Sequence, residues 1–378
     1  DASTIEPRCS DDDRAAGSVT SYSSGVHFTL HEKTESEHTE KCKCRYEFQY
    51  GLDNNDDCNK KRDEQAESSK VKAHIITRLL YKHWDEWRDV KRTHVFVVSS
   101  KGGTARDLTT GDFDSPPYAA ASGVDYAFSP DSTEIAFLRN PDKIEAISTN
   151  SDIYVMPLAG GPAKDITVRN HGYDAGPFYT RDGKFILYRS QATAGFEADR
   201  WRLMAYNRAT GTSVELTRGF DLQVDELVVS PDGNTIYFTA NDRGKSPIFR
   251  IPINGGVPQK VLGTVFAGSL HVTPDGRTFV FSSSSMSSPA EIYRANADGS
   301  GVTALTSVNA ELMSRANLKT AEEIEWTGAL GKKVHGYIVK PNNFDPSKKY
   351  PLAVLIHGGP QGAWNDNWGY RWNPQVFA

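Results

Sequence analysis

Cysteine is scarce, with four residues in a chain of 378. That is too few for a disulfide-dense scaffold, so any core has to come from apolar packing. Long hydrophobic runs are missing too. The longest clean one is Leu352 to Ile356, against the ~20 apolar residues of a membrane-spanning helix. Neither sign of charge dominates: 48 acids stand against 43 bases, for a net −5 and a pI near 6.1. This excludes a strongly basic nucleic-acid groove as the main business of the chain. No charged n-region followed by an apolar stretch opens the sequence, which starts at Asp1, so no signal peptide is visible. What the chain does have is glycine (31), proline (19) and 11% aromatics, which favours many strands and tight turns. A mean hydropathy of −0.53 is polar but still globular.

Residues 31–70 hold 11 acids and 8 bases, about twice the charge density of the chain as a whole. Such a segment buries little surface and is expected to be solvated or poorly ordered. It carries Cys42, Cys44 and Cys58, with His27, His31 and His38 nearby and Cys9 apart. Zinc is one reading, but C-x-C without a second C-x-x-C or a spaced histidine pair signals it weakly. A local disulfide or free thiols is the simpler reading. Farther on, Ile76, Leu80, Trp84 and Trp87 recur at helical spacing and predict one helix face. Asp63, Glu64 and Glu67 before it, and Arg88 and Lys91 after it, agree with the helix dipole. The two tryptophans read as packing anchors rather than a ligand cage.

Residues 91–306 contain a repeat. One element is an alternating strand, a glycine turn and an apolar-Thr end: His94 to Val98, Gly102-Gly103, Leu108-Thr109. It returns at Asp152 to Thr167, at Arg202 to Thr217, at Ile248 to Leu262 and at Glu291 to Thr306. Each predicts a hairpin whose turn needs positive φ, hence glycine. A second element interleaves with it. Ser129-Pro130-Asp131-Ser132, Thr180-Arg181-Asp182-Gly183, Ser230-Pro231-Asp232-Gly233 and Thr273-Pro274-Asp275-Gly276 are versions of one turn, recurring after 51, 50 and 43 residues. Two hairpins per period make four strands, one blade of a β-propeller. The competing architecture, a β-sandwich, requires this register to be coincidental. Phe196 to Trp201 breaks the pattern, and Glu197 there is a candidate to hold a bound amine. A solvated loop with a local salt bridge is the plainer reading of that stretch.

After Thr306 the repeat stops. Val334 to Pro341 reads as an edge-type strand ending at proline. Leu352 to Ile356 is apolar on both faces, as a central strand covered by helices is. It runs into His357-Gly358-Gly359-Pro360, and glycines at a strand end let backbone N–H groups approach a ligand. The end at Val376-Phe377-Ala378, so soon after a strand signal, is expected to be a cut through a domain.

These features together resemble the prolyl oligopeptidase family of serine peptidases, in the branch of bacterial dipeptidyl peptidases and acylaminoacyl peptidases. The resemblance runs from about Asp57 to Ala378. It is carried by Lys82 to Asp89, the blade turns, Ser288 to Ala295, Val334 to Pro341, and above all His357 to Trp364 with Asn373-Pro374-Gln375. The expected fold is mainly β: a multi-bladed β-propeller, TolB-like or prolyl oligopeptidase type, followed by the first strands of an α/β-hydrolase domain. The expected division is 1–90, a charged segment with a helix and a partial first blade; 91–320, the blades; and 321–378, the incomplete start of the catalytic domain.

The resemblance implies a serine exopeptidase acting on short peptides, without metal or other cofactor. It implies no nucleic-acid or membrane partner and leaves self-association open. A periplasmic or secreted location is favoured over the cytoplasm. A serine in a G-x-S-x-G elbow, a histidine and an aspartate form the family's catalytic set. No G-x-S-x-G occurs here; Gly211 to Glu215 and Gly244 to Ile248 fail at the last position. The resemblance therefore places all three residues past Ala378 and leaves this chain inactive alone. It places the oxyanion region at Gly358, Gly359 and Pro360, with Trp364, Trp368 and Tyr370 as subsite or core residues. A non-catalytic propeller that binds a peptide or protein is the alternative.

Overall fold

The structure is a computed structural model that describes residues 26–34, 56–74, 76, 79–83, 85–88, 91–117, 125–359 and 362–378. Five antiparallel sheets follow one another along the chain. The first pairs Val26–Thr34, Lys91–Ser99 and Arg106–Asp107. The second runs in order through Tyr126–Phe128, Glu134–Arg139, Asp152–Pro157 and Lys164–Asp165. The third is Asp174–Tyr179, Phe185–Ser190, Arg202–Asn207 and Thr212–Glu215. The fourth is Leu227–Val229, Thr235–Thr239, Ile248–Pro252 and Gln259–Leu262. The fifth is Ala267–Val272, Thr278–Ser285, Ser288–Asn296 and Thr303–Ala304. These are blades of a β-propeller, each a meander of sequence neighbours. The chain divides into two compact units, Asp1–Asp199 with Ala205–Ser213, and Arg200–Met204 with Val214–Ala378.

The repeat now has a physical cause. Thr109 Oγ1 accepts the Val95 N–H at 2.9 Å, and the Leu108 N–H donates to the Val95 carbonyl at 2.9 Å. The same pair of bonds joins Thr167 and Ile166 to Ile153, Thr217 and Leu216 to Leu203, and Thr306 and Leu305 to Ile292. The apolar-Thr signature closes the last strand of a blade onto the strand before it and leaves no buried amide unpaired. The fourth blade lacks the threonine; there Leu262 lies opposite Ile248.

The interleaved turn works alike in four blades. The leading hydroxyl donates to the aspartate two residues on: Ser129 to Asp131 at 2.6 Å, Thr180 to Asp182 at 2.8 Å, Ser230 to Asp232 at 2.5 Å and Thr273 to Asp275 at 2.6 Å. It also accepts the N–H of the residue five on, which starts the next strand. Gly183, Gly233 and Gly276 hold φ of +66°, +74° and +72°, and Ser132 takes the same left-handed place at +56°.

Apolar side chains between consecutive blades form the core. In the first unit Val95 and Leu108 pack with Ile135, Phe137 and Met156. In the second, Tyr237, Ile248 and Leu262 meet Leu270, Phe279 and Phe281, and the Tyr237 and Phe279 rings cross edge to face at 4.8 Å. Fully burying one such side chain contributes roughly 1.5–3 kcal/mol.

Three expectations are corrected. The charged segment contains a helix, Asp56–Ser68, whose C-terminal end is capped by the Lys72 ammonium, which donates to the Ala66 and Glu67 carbonyls at 2.9 and 2.7 Å. The helix predicted through Ile76, Leu80 and Trp87 does not form: Lys82–His83 pairs with Glu86–Trp87 as a short hairpin. Its base is tied by the Arg88 N–H to the Tyr81 carbonyl, and Arg88 is itself held by ion pairs to Asp114 and Glu145. That tertiary anchor outweighs the apolar spacing. Trp87 stacks on His74 at 4.2 Å while staying about half exposed; Trp84 lies outside the described residues.

The third correction concerns Leu352 to Ile356, which is not a covered strand. Leu352, Val354 and Ile356 are 87%, 69% and 85% exposed, and no described strand pairs with the run. A central strand needs neighbours on both edges, and the described residues supply none. The edge strand before it does form, with Lys333–Ile338 paired to Glu322–Thr327. Of the cysteines, Cys9, Cys42 and Cys44 lie outside the described residues and Cys58 lies in the helix. No described helix is long and apolar enough to cross a membrane.

Candidate functional site

The second unit carries the glycine turn. An extended stretch from Pro351 reaches His357, whose Nδ1–H donates to the Gly358 carbonyl at 2.9 Å. Gly359 holds φ of +126°, a conformation closed to most side chains. Gly358 faces open space: an added Cβ there meets no atom within 4 Å. The chain then folds back, so that a Cβ on Gly362 would lie 3.4 Å from the Gly358 carbonyl oxygen. Among the described residues no hydrogen bond engages the Gly358 or Gly359 N–H. Two free N–H groups on neighbouring residues suit a developing oxyanion. Pro360, the fourth residue of the motif, lies outside the described residues.

The segment beyond the turn is fixed by polar contacts that sequence reasoning missed. Asp366 Oδ2 accepts from Lys245 Nζ at 2.6 Å, and its Oδ1 accepts the Met286 N–H at 2.8 Å. The Asp366 N–H donates to the Gly244 carbonyl at 2.7 Å. Glu323 sits 3.6 Å from the same ammonium. The Glu322–Thr327 hairpin docks beside it, through an Arg243–Glu325 ion pair and the Tyr337 hydroxyl donating to the Arg243 carbonyl at 3.2 Å. Burial, with Glu323 and Asp366 nearby, pushes the Tyr337 hydroxyl up to about 12. Gly244, at φ +78°, has to be glycine, because an added Cβ would sit 2.0 Å from the Tyr337 hydroxyl oxygen. The only sequence signal for this cluster was Gly244-Lys245-Ser246, met as a failed nucleophile elbow.

The expected subsite residues separate into two groups. Trp364 and Trp368 lie partly buried in the segment after the turn. Their indole Nε1 atoms are shielded from solvent and have no partner among the described residues. Tyr370 packs edge-on against Trp368 at 5.9 Å and is 86% exposed. Glu197 belongs to the first unit and lies in an exposed loop. That loop is held by its neighbours: Asp199 Oδ2 accepts the Ala192 and Thr193 N–H groups at 2.8 and 2.7 Å, and Gln191 Nε2 donates to the Glu197 carbonyl at 3.0 Å. The Glu197 carboxylate is left at the surface of a braced loop.

Neither serine string is an elbow. Ser213 lies in the strand Thr212–Glu215 and accepts from the Tyr188 hydroxyl at 2.9 Å, and Ser246 donates to the Ala267 carbonyl at 2.9 Å. Among the described residues no group of three or more His, Cys, Asp or Glu side chains is arranged to hold a metal ion.

No family model matches the chain. Dipeptidyl-peptidase 5 of Porphyromonas gingivalis is 31% identical over 324 residues, 84% of this chain and 47% of that protein. Dipeptidyl-peptidase 5 of Porphyromonas endodontalis is 32% identical over 329 residues, 85% of this chain and 47% of that protein. The chain therefore spans about half the length of the curated relatives it matches. Among solved structures, acylaminoacyl peptidase from Pyrococcus horikoshii aligns with a TM-score of 0.61 at 13% identity, over 92% of this chain and 46% of that one, a likeness of fold. With more than four-fifths of its length shared with dipeptidyl-peptidase 5, the chain belongs to the prolyl oligopeptidase family of serine peptidases.

Proposed function

We propose that these residues are the propeller and the leading part of the hydrolase domain of a serine exopeptidase that releases dipeptides or acyl-amino acids from short peptides. The carrying observation is the turn at His357 to Gly359, where two unengaged N–H groups end an extended segment. Its context is a chain 31% identical to a dipeptidyl peptidase. In acyl transfer a serine attacks the scissile carbonyl, and negative charge gathers on the carbonyl oxygen. The Gly358 and Gly359 N–H groups are the donors we assign to that oxygen; such a donor contributes roughly 2.7–4 kcal/mol to the transition state. Trp364, Trp368 and Tyr370 are assigned to the wall beside it, and Glu197 to the free amine of the peptide. The sequence holds no G-x-S-x-G, so the 378 residues alone are expected to leave peptides uncut.

The test uses a chain carried on to the natural stop codon of its gene, assayed with dipeptidyl, N-acyl-aminoacyl and acyl-ester chromogenic substrates. Cleavage of either amide in preference to the ester supports the peptidase reading. Turnover of the ester alone makes the protein an esterase. A folded protein that cleaves none and binds peptide instead is the non-catalytic propeller.

A further inference from the structure

We propose that Asp366 is a positioning residue: it clasps the segment leaving the glycine turn onto the fourth and fifth blades and so sets the aim of the Gly358 and Gly359 N–H groups. Its catalytic consequence rests on the peptidase reading above; its structural consequence does not.

The two loops that Asp366 touches are equivalent. Residues 240–247 join Thr235–Thr239 to Ile248–Pro252 in the fourth blade, and Met286 and Ser287 join Thr278–Ser285 to Ser288–Asn296 in the fifth. One carboxylate bridges both, with Oδ2 on Lys245 Nζ and Oδ1 on the Met286 N–H. Its backbone N–H returns to Gly244, and two residues on the Trp368 N–H donates to Ser284 Oγ at 3.2 Å. The side chains of Asp366 and Lys245 are 16% and 25% exposed, so these are charge-assisted bonds with limited water to compete. The link back to the turn is short. Gly362 packs against the Gly358 carbonyl, and only three residues separate Gly362 from Asp366. A shift at Asp366 therefore reaches the oxyanion donors with little chain to absorb it, and a misplacement of ~1 Å at a reacting centre costs up to about 100-fold in rate. The cluster is a polar device rather than an apolar contact, which makes it separable from blade stability.

Asp366→Asn keeps the shape and removes the charge; Lys245→Met removes the partner; Asp366→Glu and Lys245→Arg restore charge at a different reach. In the chain carried to its stop codon, Asp366→Asn is expected to lower kcat at least ~10-fold with KM changed less than ~2-fold. Lys245→Met is expected to follow it, and the double variant to be no worse than Asp366→Asn, because both changes cut one contact. Lys245→Arg should recover much of the loss. A kcat within about twofold of the parent for folded Asp366→Asn, or additive losses in the double variant, overturns the catalytic part.

Hydrogen exchange on the 378-residue chain reads the clasp without any activity. Asp366→Asn should speed exchange over residues 357–368 at least ~10-fold while the second blade is unchanged. Unaltered exchange there overturns the clasp itself. Faster exchange in a longer chain with no peptidase activity keeps the clasp and sinks the peptidase reading.

Discussion

At Thr109, Thr167, Thr217 and Thr306 a hydroxyl accepts the N–H of a residue fourteen positions back. Thr217 and Leu203 are both fully buried, so removing that acceptor leaves an amide with no water to turn to. Thr217→Val should lower stability by about 1–3 kcal/mol and Thr217→Ser by less, read as the shift in urea midpoint. This bond was legible in the repeat as a signature but not as a mechanism, because the partner lies across a hairpin. Other residue-scale features were not legible at all. Thr167 also donates to Asp152 at 3.2 Å. Burial, with Asp165 and Asp174 near, pushes that Asp152 carboxyl up to about 8. The first blade places His94 and Asp107 at the matching positions, 2.8 Å apart. Which charge fills a matching position is free to vary while the hairpin stays the same.

At the scale of elements the S/T-x-D-G turns were readable in outline from composition, since proline, aspartate and glycine each serve a separate need of the turn. Their electrostatics follow from the folded geometry. Hydroxyl donors from Ser129, Ser230 and Thr273 hold Asp131, Asp232 and Asp275 below the ordinary carboxylate range. The Lys184 backbone N–H, followed by the Lys184 side chain and Thr180, takes Asp182 down to about 2. A carboxylate whose folded pKa is depressed adds stability above its unfolded pKa of about 3.9, and loses it as pH falls through the folded value. Asp232→Asn should therefore be less stable than the parent near neutrality. The gap should close on descending from about pH 4 to about pH 2 in a pH series of thermal melts. A gap that stays constant over that range contradicts the assignment.

Other elements escaped the sequence for reasons that differ. Val26, Phe28 and Leu30 alternate as a strand does, yet the charge-rich stretch that follows obscured them; Val26–Thr34 pairs in unbroken register with Lys91–Ser99. Ile76 to Trp87 has helical spacing, but Arg88 and its acids anchor a hairpin there. Lys245 and Asp366 are 121 residues apart, and no local pattern joins them.

For the whole molecule, the propeller was legible because its period repeats, whereas the hydrolase portion was legible only through His357-Gly358-Gly359-Pro360. A repeated blade advertises itself several times over; a glycine turn appears once, and its meaning depends on what surrounds it. The exposed Leu352 to Ile356 run illustrates this: its composition suits a buried strand, and its surroundings decide whether it becomes one. The account's central claim is that this chain supplies an oxyanion turn to a serine nucleophile lying outside its 378 residues. The most direct test treats the 378-residue chain and the chain carried to its stop codon with a fluorophosphonate serine probe. The account predicts labelling of the longer chain only. Labelling of the 378-residue chain, or no labelling of a well-folded longer one, contradicts it.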